Sequence, residues 1–418
     1  MAKIIVLLFV TIALFGQDLS LARLKQELKT ARDQETSDQR QATEVLRRTG
    51  AWPDNMQGKG AARIARVHAA LLSWIESQLP MGRSAIAIKS SDWEAAMRRQ
   101  LASAGIAEKE AETTAGQPAE QPDFDDPGFN DVNVALTWKP ELLGMLFVTG
   151  TVGVRCGGDQ AVYGYRFDAN GWARVITDHP ASDFGYGWSA LEVSDADSQG
   201  RRLLLTHRSS VQCASTWMRM TYSVFRMASD ATTPPVSLLS GVHSFWMGNE
   251  DDGLVFALKP EELILELLDS SVDGGIHNRT QIHRYNFVDG VKRLEPVALQ
   301  PQDFAEEWLT QPWSEMRSMS LPETQKWHGK YHNQAGEYSN VVPCAAEPDR
   351  WSIGFHVAQI DGRTLPEPFQ VNFLVRDLGN YRFEMEAGSD TEFEGCPGEG
   401  SPSDKHPWLS VEQLKALP

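Results

Sequence analysis

Apolar residues recur at helical spacing along the first quarter of the chain and at strand spacing after it. Leu21, Leu24 and Leu28 lie three and four residues apart. Ile64, Val67, Leu71 and Ile75 repeat that spacing, as do Trp93, Met97 and Leu101. Stripes of this kind mark amphipathic helices. Pro53 and Pro80 divide the segment into three helices. Ser91 followed by Glu94 reads as a capping box, and Gly105 as a stop. The stripe fades between Asp33 and Arg40, which predicts a break or an exposed stretch in the first helix.

From about Val132 the period changes to two. The clearest unit runs from Ala161 to Phe167, turns at Asp168-Ala-Asn-Gly171 and returns from Trp172 to Ile176. Alternating apolar runs around Asn-Gly are a strong short-range hairpin signal. Ala190–Val193 and Arg201–Thr206 flank another polar turn. So do Leu254–Leu258 and Leu263–Leu268, and Thr280–Phe287 and Val291–Val297. Leu263–Leu268 alone could be a helix; its neighbours decide for a strand. Between Pro301 and His332 helical spacing returns. The β pattern resumes in Trp351–Val357, Phe369–Val375 and Tyr381–Met385, with a turn at Gly379-Asn380, and Ser410–Leu417 predicts a terminal helix.

This predicts a mainly β fold with a helical N-terminal region. The body consists of antiparallel sheets, propeller-like or sandwich-like. About three blades of material lie between 132 and 300, where a closed propeller needs four. The predicted organisation is a helical region at 23–106 and a Pro-rich acidic disordered linker at 107–131. A β-rich domain follows at 132–300, then a helical connector at 301–340 and a small β-rich C-terminal domain at 341–418. The linker composition cannot bury apolar surface.

The first residues change the picture by adding a compartment. Lys3 precedes an apolar run of 12 residues, Ile4–Phe15, and Ser20-Leu21-Ala22 offers small residues for cleavage. This predicts a signal peptide at 1–22, too short to span a bilayer, which needs about 20 apolar residues. No later stretch is long enough to span, so a mature chain with no membrane span, periplasmic or secreted, is expected. Four cysteines in an exported chain imply two disulfides. Among three connectivities, Cys156–Cys213 and Cys344–Cys396 are favoured because each pair falls within one apparent domain.

Charge is uneven along the 418 residues. Residues 23–106 hold 14 Lys+Arg against 9 Asp+Glu, and residues 107–418 hold 24 against 46. So acidic a body excludes a duplex nucleic-acid partner. The opposite signs raise the idea that the basic helical region docks electrostatically on the acidic body. The 13 Trp are read chiefly as packing for sheet cores.

The stretch His277-Asn-Arg-Thr-Gln-Ile-His283-Arg-Tyr285, with its continuation Arg293–Leu309, resembles a family of uncharacterised exported bacterial β-rich proteins with no assigned activity. The resemblance spans roughly residues 140–345. It implies export and a β-rich fold, and no chemistry.

Candidate sites come from local spacing. His277 and His283 would share one face of a strand, and with Arg279 they could bind an anion or carboxylate. Tyr186 and Trp188 sit in an aromatic-glycine loop able to stack a sugar or peptide, or to serve as a tight turn. His328 and His332, four apart, offer a metal pair on a helix. Gly329 stands where a metalloprotease helix has its glutamate, so surface or interface histidines are the competing reading. Asp195 and Asp197 open half a calcium loop, but Thr206 occupies the position of its bidentate glutamate, leaving an ordinary turn. Trp308 and Trp313 could line a groove or pack a helix on a sheet. No P-loop, dinucleotide fingerprint or nucleophile elbow is present. No cofactor is predicted.

The resulting expectation is an exported binding or interaction module for a protein, glycan or small-molecule ligand. The alternative is an exported hydrolase acting on glycan or peptide. Whether the chain is an enzyme stays open at this level.

Overall fold

A computed structural model describes residues 2–49, 56–79, 90–107, 131–154, 157–179, 185–212, 217–246, 254–270, 278–334, 336–360, 363–396, 400–401 and 408–417. The expected linker at 107–131 lies almost wholly outside them. The chain divides into two compact units. The first comprises Met1–Leu191, Gln199–Ser215 and Thr221–Ser237. The second comprises Glu192–Ser198, Thr216–Met220 and Leu238–Pro418.

The fold is mainly β, with a helical N-terminal region. Among the described residues, sixteen strands form four antiparallel sheets of four, each a meander in which sequence neighbours pair. The first holds β1 (Val132–Lys139), β2 (Met145–Val154), β3 (Gly157–Asp168) and β4 (Gly171–Asp178). The second holds β5 (Gly185–Val193), β6 (Arg202–Gln212), β7 (Trp217–Met227) and β8 (Val236–Trp246). The third holds β9 (Leu254–Lys259), β10 (Glu262–Ser270), β11 (Asn278–Asn286) and β12 (Lys292–Leu294). The fourth holds β13 (Tyr338–Pro343), β14 (Arg350–Ile360), β15 (Arg363–Gly379) and β16 (Arg382–Ser389). The sheets are open, compatible with a sandwich-like body.

The hairpins fall where alternation put them. In β3–β4 Asp168 pairs with Gly171, and the Asp168 carboxylate accepts the Asn170 amide at 2.6 Å. In β15–β16 Gly379 pairs with Arg382, so Asn380 and Tyr381 make the loop, both at positive φ. That geometry matches the sheet twist but favours Asn and Gly, and Tyr381 is held there under strain. The half calcium loop is a turn closed by Gly200 at φ 75°.

In the first unit, α1 (Ala2–Thr49), α2 (Met56–Gln78) and α3 (Ser90–Ser103) form a layer with the first sheet. Leu24, Leu28, Ile64, Val67, Leu71, Trp74, Met97 and Leu101 share one core with Val132, Val134, Val148, Tyr163 and Tyr165. A Cβ on Gly150 of β2 would stand 2.9 Å from the Leu71 side chain, so glycine there lets α2 lie close on the sheet.

Three details of the sequence reading change. The polar stretch from Asp33 to Arg40 does not break α1. It forms a seam against α2, where Asp38 bonds Arg63 and Lys59, and Gln34 accepts from Arg66. Lys59, Arg63 and Arg66 thus find partners within the helical region, and the buried contact of the layer with the sheet is chiefly apolar. The Arg174–Glu76 pair, 3.2 Å apart, has the opposite polarity to the expected electrostatic docking. α3 also begins at Ser90, so Ser91 lies inside its first turn, and the Glu94 carboxylate accepts the Leu136 amide of β1.

In the second unit, α4 (Pro301–Thr310), α5 (Trp313–Met316) and α6 (Gln325–Tyr331) follow the third sheet. Phe304, Trp308 and Tyr331 share a core with Ile353, Phe355, Phe373 and Met385 of the fourth sheet. Trp74 and Trp308 are each wholly buried in their own unit's core, the packing role read from the indole count. A disulfide joins Cys344 and Cys396 across 52 residues. Cys156 and Cys213 lie outside the described residues. The C-terminal helix α7 (Val411–Lys415) begins with a capping box of Ser410 and Gln413. Leu409, Leu414 and Leu417 pack on Ala257, Ile264 and Ile282 of the third sheet.

Candidate functional site

Two buried polar clusters stand out, one in each unit. The first is built on period two in β3 and on the apolar stripe of α2. Ala161, Tyr163 and Tyr165 face the helical layer, and Asp159 falls on the same face at the start of the strand. On α2, His68 lies four residues after Ile64 and three before Leu71, which turns it inward too. His179 follows the end of β4. His68 Nε2 lies 2.7 Å from Asp159 Oδ1, and His179 Nε2 lies 2.9 Å from the same oxygen. The two rings are 4.3 Å apart between centroids. All three ligand-type atoms lie within 4.8 Å of one another, the one such group of three or more among the described residues. His68 and Asp159 are 3% and 4% exposed, whereas His179 is 22% exposed, so solvent reaches the cluster from one side.

The surroundings set protonation. Burial pushes the Asp159 carboxyl upward, but hydrogen bonds from His179 and His68 and the nearby Arg208 override it and hold it well below the usual range. Arg208 stands 3.8 Å from Asp159 Oδ2 and donates to the Gln160 carbonyl at 2.8 Å. Burial lowers His68, against the pull of Asp159, and favours the neutral ring. The Tyr163 hydroxyl lies 3.5 Å from His68 Nδ1. A carboxylate oxygen receiving two imidazoles, one of them accessible, can hold a cation or hand a proton between the rings.

The second cluster contains residues that the sequence put forward. Arg279, Gln281, His283 and Tyr285 share one face of β11. Arg279 is buried beside α4, where Asp303, Glu306 and Glu307 recur at three and four residues. Its guanidinium lies 3.7 Å from Glu306 and 3.7 Å from Glu307. Arg293 of β12 bonds Glu307 and lies 3.6 Å from Glu315. Burial disfavours the Arg279 charge, yet Glu306 and Glu307 override it and hold it protonated. Asp303 is pushed well above the carboxylate range by burial and then by Glu306. Every residue from Gln302 to Leu309 is buried.

His283 turns to a different chain of contacts. Its Nε2 donates to Gln281 Oε1 at 2.7 Å, the Tyr285 hydroxyl lies 3.3 Å from its Nδ1, and Gln281 donates to Asp269 at 3.3 Å. His243 Nδ1 also lies 3.3 Å from Asp269. Burial, then Arg293 and His243, keep His283 well below its ordinary range. Arg279 and His283 are therefore on one strand face, with Arg279 engaged by two glutamates. His277 is outside the described residues, as are the side chains of Tyr186 and Trp188 on β5.

His328 and His332 do come together. Their rings stack 4.9 Å apart, yet His328 Nε2 donates to the Gln311 carbonyl and His332 Nδ1 to the Leu309 carbonyl, each at 2.9 Å. Those bonds anchor α6 on α4. Trp308 and Trp313 each pack a ring against His328.

Local spacing missed the first cluster because His68 and Asp159 are 91 residues apart. One signal was available. A histidine on the apolar stripe of α2 is a buried polar group, and such a group needs a partner.

Together these observations define a class: a β-rich protein of four antiparallel meanders whose first unit carries an accessible His-Asp-His cluster under a helical layer. No protein-family model matches this chain, and comparison with the curated proteins returned no match.

Proposed function

We propose that this is an exported binding protein, released to the periplasm or secreted after removal of residues 1–22, and that its ligand site is the His68–Asp159–His179 cluster. The observation that carries the reading is a contrast in access. His179 brings that cluster to solvent, whereas Asp303, Glu306 and Glu307 are each 2% exposed or less. A hydrolase of glycan or peptide needs its carboxylates in reach of substrate, and these three are sealed within the second unit. The Cys344–Cys396 disulfide fits an oxidising compartment. No helix among the described residues is long and apolar enough to cross a membrane. Cleavage after Ala22 leaves Leu24 and Leu28, buried in the core with the first sheet, in the mature chain.

The site is tested by following the imidazole nitrogen signals of His68 and His179 by NMR. The probes are inorganic phosphate, acetate, N-acetylglucosamine and Zn²⁺. At least one probe moves both signals; if none does, the cluster is structural and the reading fails. Export is tested by a fusion lacking residues 1–22, which should stay inside the cell.

A further inference from the structure

The donor set at this cluster says more about its ligand. We infer that His68 Nε2, His179 Nε2 and Asp159 Oδ1 form a mononuclear site for a divalent transition-metal ion of the zinc type, with an open position on the His179 side. This rests on the binding reading above and names the class of ligand.

Four features support it. Two imidazoles and one carboxylate suit zinc and its first-row neighbours, whereas calcium and magnesium require all-oxygen sets. Groups that orient the ligands are in place. Arg208 stands by Oδ2, leaving Oδ1 to the histidines, and the Tyr163 hydroxyl faces His68 Nδ1. The third feature is the tautomer it permits. Without metal, each Nε2–H donates to Asp159. With metal, the His68 proton moves to Nδ1, where the Tyr163 oxygen accepts it, and no net proton leaves the ring. The fourth feature is reach. Tetrahedral ligands about 2.1 Å from zinc stand about 3.4 Å apart. The observed 2.7 and 2.9 Å separations must widen by about 0.7 and 0.5 Å, the second at the partly exposed His179 and the first by a small rotation of the His68 ring. Arg208 opposes a cation, so the affinity falls below that of a closed structural site.

The full chain, stripped with a chelator, is titrated with Zn²⁺ by calorimetry and with Co²⁺ by visible absorption. One Zn²⁺ binds per chain, and Co²⁺ develops d–d bands. His179→Gln and Asp159→Asn each weaken binding by more than about a hundredfold and abolish the bands. His332→Gln, at the other histidine pair, changes neither. Because Asp159 is buried, folding of each variant is checked by circular dichroism; His179→Gln, at the exposed ligand, carries the test if Asp159→Asn unfolds. Failure of the wild-type chain to bind one equivalent overturns the inference, as does binding that survives His179→Gln or is lost in His332→Gln. If Zn²⁺ leaves the His68 and His179 signals still while phosphate, acetate or the sugar moves them, the metal is wrong and the binding reading stands. If nothing moves them, both fall.

Discussion

The two units bury carboxylates in opposite ways. Around Asp159 the first unit sets two histidines, of which one is partly exposed, and the Arg208 guanidinium 3.8 Å away. Around Glu306 and Glu307 the second unit sets Arg279 and Arg293, permanent cations whose side chains are 6% and 11% exposed. A buried pair of permanent charges is costly to break and offers nothing to a ligand. A carboxylate shared by two imidazoles can exchange its partners. Access and partner chemistry, rather than the number of charged groups, separate a binding site from a structural lock.

The comparison is sharpest at Arg279. Arg279→Met leaves Glu306 buried without its guanidinium and should destabilise the second unit by about 3–5 kcal/mol. Chemical denaturation read by hydrogen exchange in each unit checks this, with loss of protection concentrated in β11 and α4. Asp159→Asn keeps an acceptor oxygen for one histidine and should cost about 1–3 kcal/mol, confined to the first unit. Equal losses in the two variants would erase the distinction.

Glu266 offers a third case, a buried carboxylate whose described polar contact is the Leu409 amide at 2.8 Å. Burial raises its pKa to about 7, against that hydrogen bond. A carboxyl with raised proton affinity in the fold supports stability fully below the unfolded value of 4.5. That support is lost as pH climbs through about 7. Glu266→Gln keeps a carbonyl for Leu409 and removes the charge. Its unfolding midpoint should exceed wild type by a few degrees at about pH 8 and match it at about pH 4. Parallel pH profiles would assign the slope to another group. The smallest effect is expected away from both clusters. Tyr381→Gly relieves a left-handed loop residue and should stabilise the fourth sheet by roughly 0.5–1 kcal/mol. A loss in the denaturation midpoint would mean the ring contributes packing that outweighs the strain.

Much of the fold was legible because its signals are local. The Asn-Gly turn fixed the β3–β4 reversal, and the Ile64–Ile75 stripe showed which side of α2 goes inward. Neighbouring hairpins settled Leu263–Leu268 as a strand. The site was legible only in fragments. His277 and His283 were singled out for sharing a strand face, with Arg279 beside them; His277 lies outside the described residues, and Arg279 and His283 lie on one face of β11. That Arg279 is taken up by Glu306 and Glu307 depends on how α4 returns over the sheet, which no spacing within the His277–Tyr285 segment encodes.

What the sequence determined by itself is therefore the inventory of elements and their inward faces, since periodicity and turn chemistry act between residues a few positions apart. Tertiary structure alone decided which charges meet. His68, Asp159 and His179 come from a helix, a strand and a strand end, and only packing of the α2 stripe on the first sheet brings their polar atoms within hydrogen-bonding distance. Apolar burial drives that packing without regard to direction. The chemistry of the cluster follows from contacts that the chain makes over long separations.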